Sequence, residues 1–286
     1  NKYGWMVEVN PADPSDPGTK HTALGRFRHE AVAVAAKAGE PLVVYSGCDR
    51  RGGHLYRFVS DGSISDPNDP ANSRLLAKGT LYGAVFNPDG SGSWRALRPE
   101  TAVDPLPAPA LLPHSNRARG GAERLNSEAQ RQAYRERYRT LGDLYVGDGE
   151  AQLGALLIDA HLAANAAGIT PTARPEDTVM DPQSGDLLVT FTSGLPGSDG
   201  TPDMAIFRGP QGQTPWNEGW IMRLTPGSAD DFRWSMVATG GKPQDGGLGF
   251  ANPDNLAVDP GGDLWMVTDI GTSTQNSDKN GGSFGN

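Results

Sequence analysis

Apolar residues recur along the chain in short alternating runs, cut by Gly, Pro, Asn and Asp. "GWMVEVNP" (4–11) sets Trp5, Val7 and Val9 on one face and predicts a first strand. "EPLVVYSG" (40–47) and "HLYRFVSDG" (54–62) flank "CDRRG" and predict a hairpin. "KGTLYGAVFNPDGSGSWRAL" (78–97) predicts a second hairpin that turns at "NPDGSG", and "GWIMRLTPGSADDFRWSMVA" (219–238) predicts a third. Repeated hairpins with period-two alternation belong to sandwiches, barrels and propellers, so the expected fold class is all-β.

One segment breaks this pattern. Residues 121–168 read "AERLNSEAQRQAYRERYRTLGDLYVG" and then "EAQLGALLIDAHLAANAAG". Helix formers dominate, and Gly168 stands where a helix C-cap belongs. A helical insertion within a single domain of residues 1–286 is expected, the Arg-rich first helix showing a solvated face. Residues 98–120 and the tail from Gly271 read as irregular.

The chain also repeats itself. In "PEDTVMDPQSGDLLVTFTS" (175–193) and "PDNLAVDPGGDLWMVTD" (253–269), Pro175 matches Pro253, Glu176 matches Asp254 and Asp177 matches Asn255. A fainter copy, "HEAVAVAAKAGEPLVVYSG" (29–47), places Glu30 nine residues before Gly39, as Glu176 stands before Gly185. Each copy is an acid, a strand, a glycine turn and a second strand, which suits the inner strands of a β-propeller blade. Radial symmetry would then bring Glu30, Glu176 and Asp254 to one axial spot. In one copy such an acid is commonly a solvated turn residue; in three aligned copies it points to a shared site. Clustered carboxylates repel one another unless protonated or neutralised by a cation.

Composition narrows the partners. The 38 Gly and 23 Pro are dispersed, as many turns require. The net charge of -9 repels nucleic acid and anionic membranes, so neither is an expected partner. A phosphate ligand would need its own local positive charge, and Arg174 beside Glu176 supplies one. No apolar run approaches the roughly 18–20 residues of a membrane span. Cys48 is the single cysteine, which excludes an internal disulfide. The chain opens on "NKYGWMVEV" without Met and ends after an unfinished strand pattern, so an internal segment of a longer protein is expected. His29 follows the alternation away from the axis and reads as packing, and the other histidines show no ligand spacing.

These stretches resemble the PhoX-type alkaline phosphatases. The resemblance runs through "YGWMVEVNP", "TALGRFRHEAVAV", "LVVYSGCDRRGGHLYRFVS", "GTLYGAVF", "TARPEDTVMDPQSGDLLVTFT" and "NPDNLAVDPGGDLWMVTD", from Tyr3 to Asp269. It implies a six-bladed β-propeller, incomplete in this chain, that hydrolyses small phosphomonoesters with calcium and iron as cofactors. It further implies a monomer in the periplasm or outside the cell. By this resemblance Arg174 and Glu176 are catalytic, with Arg174 binding phosphate. Glu30, Glu176, Asp254 and Asp269 hold metal, with Asp177, Asn255 and Asp49 as weaker candidates. The family's upstream Thr-Cys-Glu-Glu block, whose cysteine binds iron, has no counterpart here, and Cys48 lies in a hairpin turn instead.

Two other readings fit parts of the pattern. A calcium-dependent lactonase or phosphotriesterase would hold one calcium by Glu176, Asn255 and Asp269. It has no need of Arg174 for a neutral lactone. A non-catalytic propeller would use the acids for structural calcium while binding a protein or polysaccharide.

Overall fold

The structure is a computed structural model that describes residues 3–107, 110–114, 120–228 and 230–272. The chain begins with a two-stranded ribbon, β1 (Met6–Glu8) against β2 (Thr19–His21), in which Met6 faces His21. The inward face carries Met6 and the buried His21, while Val7 and Val9 are exposed. This corrects the expected phase of the first strand. A ribbon covered on one face can bury only every second residue, and here Met6 fills that place.

The first large unit follows as β3 (Ala33–Ala35), β4 (Pro41–Gly47), β5 (Arg51–Gly53), β6 (Leu55–Ser63), β7 (Gly79–Phe86) and β8 (Ser91–Ala96). The pairs β4–β6 and β7–β8 are antiparallel and form the first two expected hairpins. The turn between β7 and β8 closes with Asn87 N donating to Ser91 O at 2.9 Å, and Gly90 takes φ 83° there. That left-handed φ suits glycine.

The segment 121–168 starts as a strand rather than a helix. β9 (Ala110–Pro113) pairs with β10 (Ala122–Leu125), and only then come α1 (Glu128–Arg137), α2 (Gly149–Ile158) and α3 (Ala160–Ala166). Ser127 caps α1 by accepting Gln130 N at 3.2 Å. Its arginines are matched locally, Arg131 by Glu128 and Arg135 by Asp104. Helix α3 ends in a Schellman motif, with Gly168 N on Asn165 O at 3.2 Å and Ile169 N on Ala164 O at 3.0 Å. Gly168 has φ 68°, which that motif requires.

The second large unit is β11 (Thr172–Ala173), β12 (Pro175–Met180), β13 (Leu187–Phe191), β14 (Trp220–Pro226) and β15 (Asp231–Thr239). The pair β16 (Pro253–Val258) and β17 (Leu264–Thr268) closes the described chain. Nine strands form one antiparallel sheet in the order β12-β13-β14-β15-β8-β7-β6-β4-β3. The sheet curls until β12 lies against β3 and β4, and β16 lies against β12 and β13. The architecture is therefore mostly sheet and of propeller type, with inner strands β3, β12 and β16 side by side. Short β5 leaves the first unit to pair with β11 of the second. No helix of the described residues is long and apolar enough to cross a membrane.

Two apolar cores hold this arrangement. One lies under the helices and includes Phe27, Tyr56, Phe58, Leu112, Leu141 and Leu156. The other joins the two large units, with Phe86 meeting Phe191, Phe207 and Phe232 edge-on. Trp220 is fully buried there and donates Nε1–H to the Arg208 carbonyl at 3.0 Å.

Glycine sets how closely the units approach. A Cβ on Gly47, at the end of β4, would stand 2.1 Å from the Pro175 carbonyl oxygen at the start of β12. Gly47→Ala is therefore expected to push the first and second units apart. Overpacking of this kind costs about 1–3 kcal/mol. Thermal unfolding should show a lowered Tm, and an unchanged Tm would contradict this close approach.

Candidate active site

The sequence repeat reappears as a repeat of backbone geometry. In the three units, Asp49 N donates to Arg28 O at 2.9 Å, Thr192 N to Arg174 O at 3.0 Å and Asp269 N to Asn252 O at 2.9 Å. Each accepting carbonyl lies two residues before the acid, Glu30, Glu176 or Asp254. Arg174 and Asn252 share a left-handed backbone, φ 59° and 52°, and are followed by the same register shift in β12 and β16. A non-glycine residue in that region costs of order 1–3 kcal/mol and persists where the surroundings fix it.

A residue before proline ordinarily favours the extended region, which would set Arg174 and Glu176 on one strand face. Arg174 instead precedes the strand and folds back in the left-handed region. Its carbonyl is thereby turned to Thr192 N, and its side chain still reaches Glu176.

Arg174 stands among acids from all three units. Its Nε donates to Asp49 Oδ1 at 2.9 Å and its Nη2 to Asp49 Oδ2 at 3.4 Å. Nη2 also contacts Glu176 Oε1, and Nη1 lies 3.9 Å from Asp269 Oδ2. Burial disfavours the Arg174 charge. The Asp49 hydrogen bond and the charges of Glu176, Asp49 and Asp269 outweigh it, so its pKa is raised.

Glu176 is the most enclosed of the acids, at 3% exposure. Its Oε2 accepts from Thr192 Oγ1 at 2.5 Å. Its buried Oε1 touches Arg174 but has no aligned hydrogen-bond donor. Burial pushes its pKa up to about 8, against the pull of Thr192 and Arg174, and Asp49 and Asp254 push it further. Glu30 is raised first by burial and then by Asp49 and Asp254. Asp254 is raised by burial and by Asp269 and Asp177. These mutual effects place Glu30, Asp49, Glu176, Asp254 and Asp269 in one electrostatic neighbourhood around Arg174. Among the described residues, no three His, Cys, Asp or Glu side chains stand close enough to hold a metal ion as they are.

The weaker candidates divide. Asp49, ranked low in the sequence, makes the closest contacts to Arg174. Asp177 gives its oxygens to the peptide N–H groups of Leu256 at 2.6 Å and Thr178 at 2.7 Å, stitching β12 to β16. Asn255 is exposed. The sequence held a signal for Asp49: "VYSGCD", "LLVTFT" and "LWMVTD" end on Asp49, Thr192 and Asp269, the three residues that close the backbone repeat. The same register shows Thr192, which sequence reading missed.

The remaining candidates are structural. His29 bonds Ser46 Oγ and Gly25 O, both at 3.0 Å, stacks near Phe27, and is depressed to about 4 by burial. Cys48 is fully buried in the first core, and burial raises its thiol to about 11. A thiol so raised is a poor metal ligand.

Comparison with known proteins adds the lineage. The chain is similar over 98% of its length to a solved structure, "Pseudomonas fluorescens PhoX in complex with vanadate, a transition state analogue", at 30% identity and TM-score 0.70. It spans 45% of that longer chain. No curated protein matches it. The sequence model of the family Alkaline phosphatase PhoX matches residues 1–285. With the three-unit sheet and the arginine-centred acids, this match places the chain in the PhoX alkaline phosphatase family.

Proposed function

We propose that this chain forms part of a metal-dependent phosphomonoester hydrolase, an alkaline phosphatase that releases inorganic phosphate. The observation that carries the reading is Arg174 within reach of acids from all three repeat units, beside a buried Glu176 oxygen lacking a hydrogen bond. Ionised together, the five carboxyl groups around one guanidinium would carry an excess of negative charge that a cation would balance. Their hard oxygen donors fit calcium and ferric iron. Glu30, Glu176, Asp254, Asp269 and Asp49 are the residues that would hold these ions.

When bound, the metals would polarise the phosphoryl group and activate an oxygen nucleophile. The protein's own part is orientation. Asp49 grips Arg174 through Nε and Nη2, fixing the plane of the guanidinium. Nη1, 3.9 Å from Asp269, is then the nitrogen left to donate to a phosphate oxygen, and a lysine could not keep the Asp49 contacts and that donor together. Burial of Glu176 keeps water from one flank of the site. The family setting makes the periplasm or the extracellular space the expected location. The lactonase reading has less support, because Asn255 is exposed and Arg174 would have no partner in a neutral lactone. Turnover of a chromogenic phosphomonoester by the complete protein, with bound calcium and iron quantified, tests the proposal; metal-loaded protein without turnover would refute it.

The site also sets a pH dependence. The Glu176 carboxyl moves from near 4.3 when unfolded to about 8 when folded and free of metal. A raised folded value means that its contribution to stability is present below the unfolded value and is lost as pH rises towards about 8. Cation binding would expel that proton and remove the loss. Melts with chelator and with calcium, between about pH 5 and 9, should show a Tm gap that widens with pH. A gap independent of pH would count against Glu176 as a ligand.

A further inference from the structure

We infer that Thr192 is a positioning residue that presents Glu176 to the cation site through a single oxygen, Oε1. The inference rests on the functional reading above and names a residue outside its set of ligands.

The backbone repeat shows why Thr192 differs from its counterparts. At the place where each unit closes onto the carbonyl two residues before its acid, the first and third units carry Asp49 and Asp269. The middle unit carries Thr192, which is fully buried, beside Glu176 at 3% exposure. A second carboxylate there would put two like charges in contact away from water. A hydroxyl can bond instead.

Its direction is fixed on several sides. Thr192 N donates to Arg174 O at 3.0 Å, and Thr192 O accepts Asn252 Nδ2 at 3.0 Å. The hydroxyl Oγ1 then lies 2.5 Å from Glu176 Oε2 and 2.6 Å from the Pro253 carbonyl oxygen. Pro253 directly precedes Asp254, so the single hydroxyl proton, shared between Glu176 Oε2 and the Pro253 carbonyl, ties the acid of the second unit to the strand that bears the acid of the third. With Oε2 held, Oε1 is the oxygen left facing Arg174 and lacking an aligned donor. Thr192 thereby selects which Glu176 oxygen is available and fixes its distance from Asp254.

The test compares Thr192→Val, which keeps the shape and removes the hydroxyl, with Thr192→Ser, which keeps the hydroxyl. Both are made in the complete protein, with calcium and iron titrated onto stripped samples and kcat and KM measured for a chromogenic phosphomonoester. Loss of a partner that orients a ligand lowers metal affinity by about 10- to 100-fold. Thr192→Val should show that loss, with KM at saturating metal unchanged because Arg174 is intact. Thr192→Ser should restore wild-type affinity. Folded Thr192→Val with wild-type cation affinity would overturn the inference, as would a Ser variant that fails to restore it. If Thr192→Val does not fold, Thr192→Ala is compared with Ser on the same readout. Failure of all three to fold would show that Thr192 serves the fold as a whole rather than the presentation of one Glu176 oxygen, and would also overturn it. Wild-type protein that binds neither calcium nor iron would refute the functional reading itself, a result distinct from equal binding by wild type and variants.

Discussion

Arg174→Lys in the complete protein is expected to lower kcat/KM for a phosphomonoester by roughly ten- to a thousandfold. Lysine keeps the charge but loses the planar fork. In the structure that fork is held side-on by Asp49, so its orientation is built in rather than left to chance. Charge-assisted hydrogen bonds contribute about 1.5–3 kcal/mol. A donor aimed at transition-state charge contributes about 2.7–4. Guanidinium is not a metal ligand, so bound calcium and iron should stay near normal. Full phosphatase activity in Arg174→Lys would remove this residue from the site. Lactone hydrolysis, if Arg174 served no substrate, would be unchanged by the same substitution.

Glu176→Gln is expected to have the larger effect, because it strikes metal and arginine together. The amide keeps the shape and can still accept from Thr192, but it withdraws a buried charge from Arg174 and from any bound cation. Loss of this negative ligand removes both the cation's hold and the charge that faces Arg174 once the cation is bound, so kcat/KM should fall further than in Arg174→Lys, accompanied by a drop in bound metal. Stripped of metal, the variant should be no less stable than wild type near neutral pH, because burial already favours the uncharged form of this side chain. Normal metal content in Glu176→Gln would show that Glu176 is not a ligand.

Much of this arrangement was legible in the sequence, for reasons visible in particular residues. The three hairpins declared themselves because each is local: alternating apolar residues around a turn such as "NPDGSG". Glu30, Glu176 and Asp254 could be aligned because the repeat carries its own spacing. Arg174 stood out as the positive charge beside Glu176. What stayed hidden depends on contacts between distant segments. The pairing of β15 with β8 joins the two large units, and no local signal marks it. The pairing of β5 with β11 brings Asp49 to Arg174, yet the hairpin around "CDRRG" reads as an ordinary turn. The phase of the first strand was misread because Val7 and Val9 alternate correctly and still face outward. Thr192 was invisible because a threonine in an apolar strand is ordinary until its hydrogen-bond partner is seen.

The site is also built across units rather than within one. Gly47 allows the first unit to approach the second at Pro175, and Thr192 ties the second to the third at Pro253. These two contacts set how closely the strands that bear the acids approach one another. Substitutions at such contacts should therefore affect metal binding without touching a ligand.

The central claim is that the acids around Arg174 hold the cations of a phosphatase. It is tested most directly by stripping the complete protein with chelator, reloading it with calcium and iron, and following turnover of a chromogenic phosphomonoester. Turnover is expected to vanish on stripping and to return on reloading, in proportion to bound metal. Undiminished turnover in metal-free protein, or none in fully loaded protein, would contradict the account.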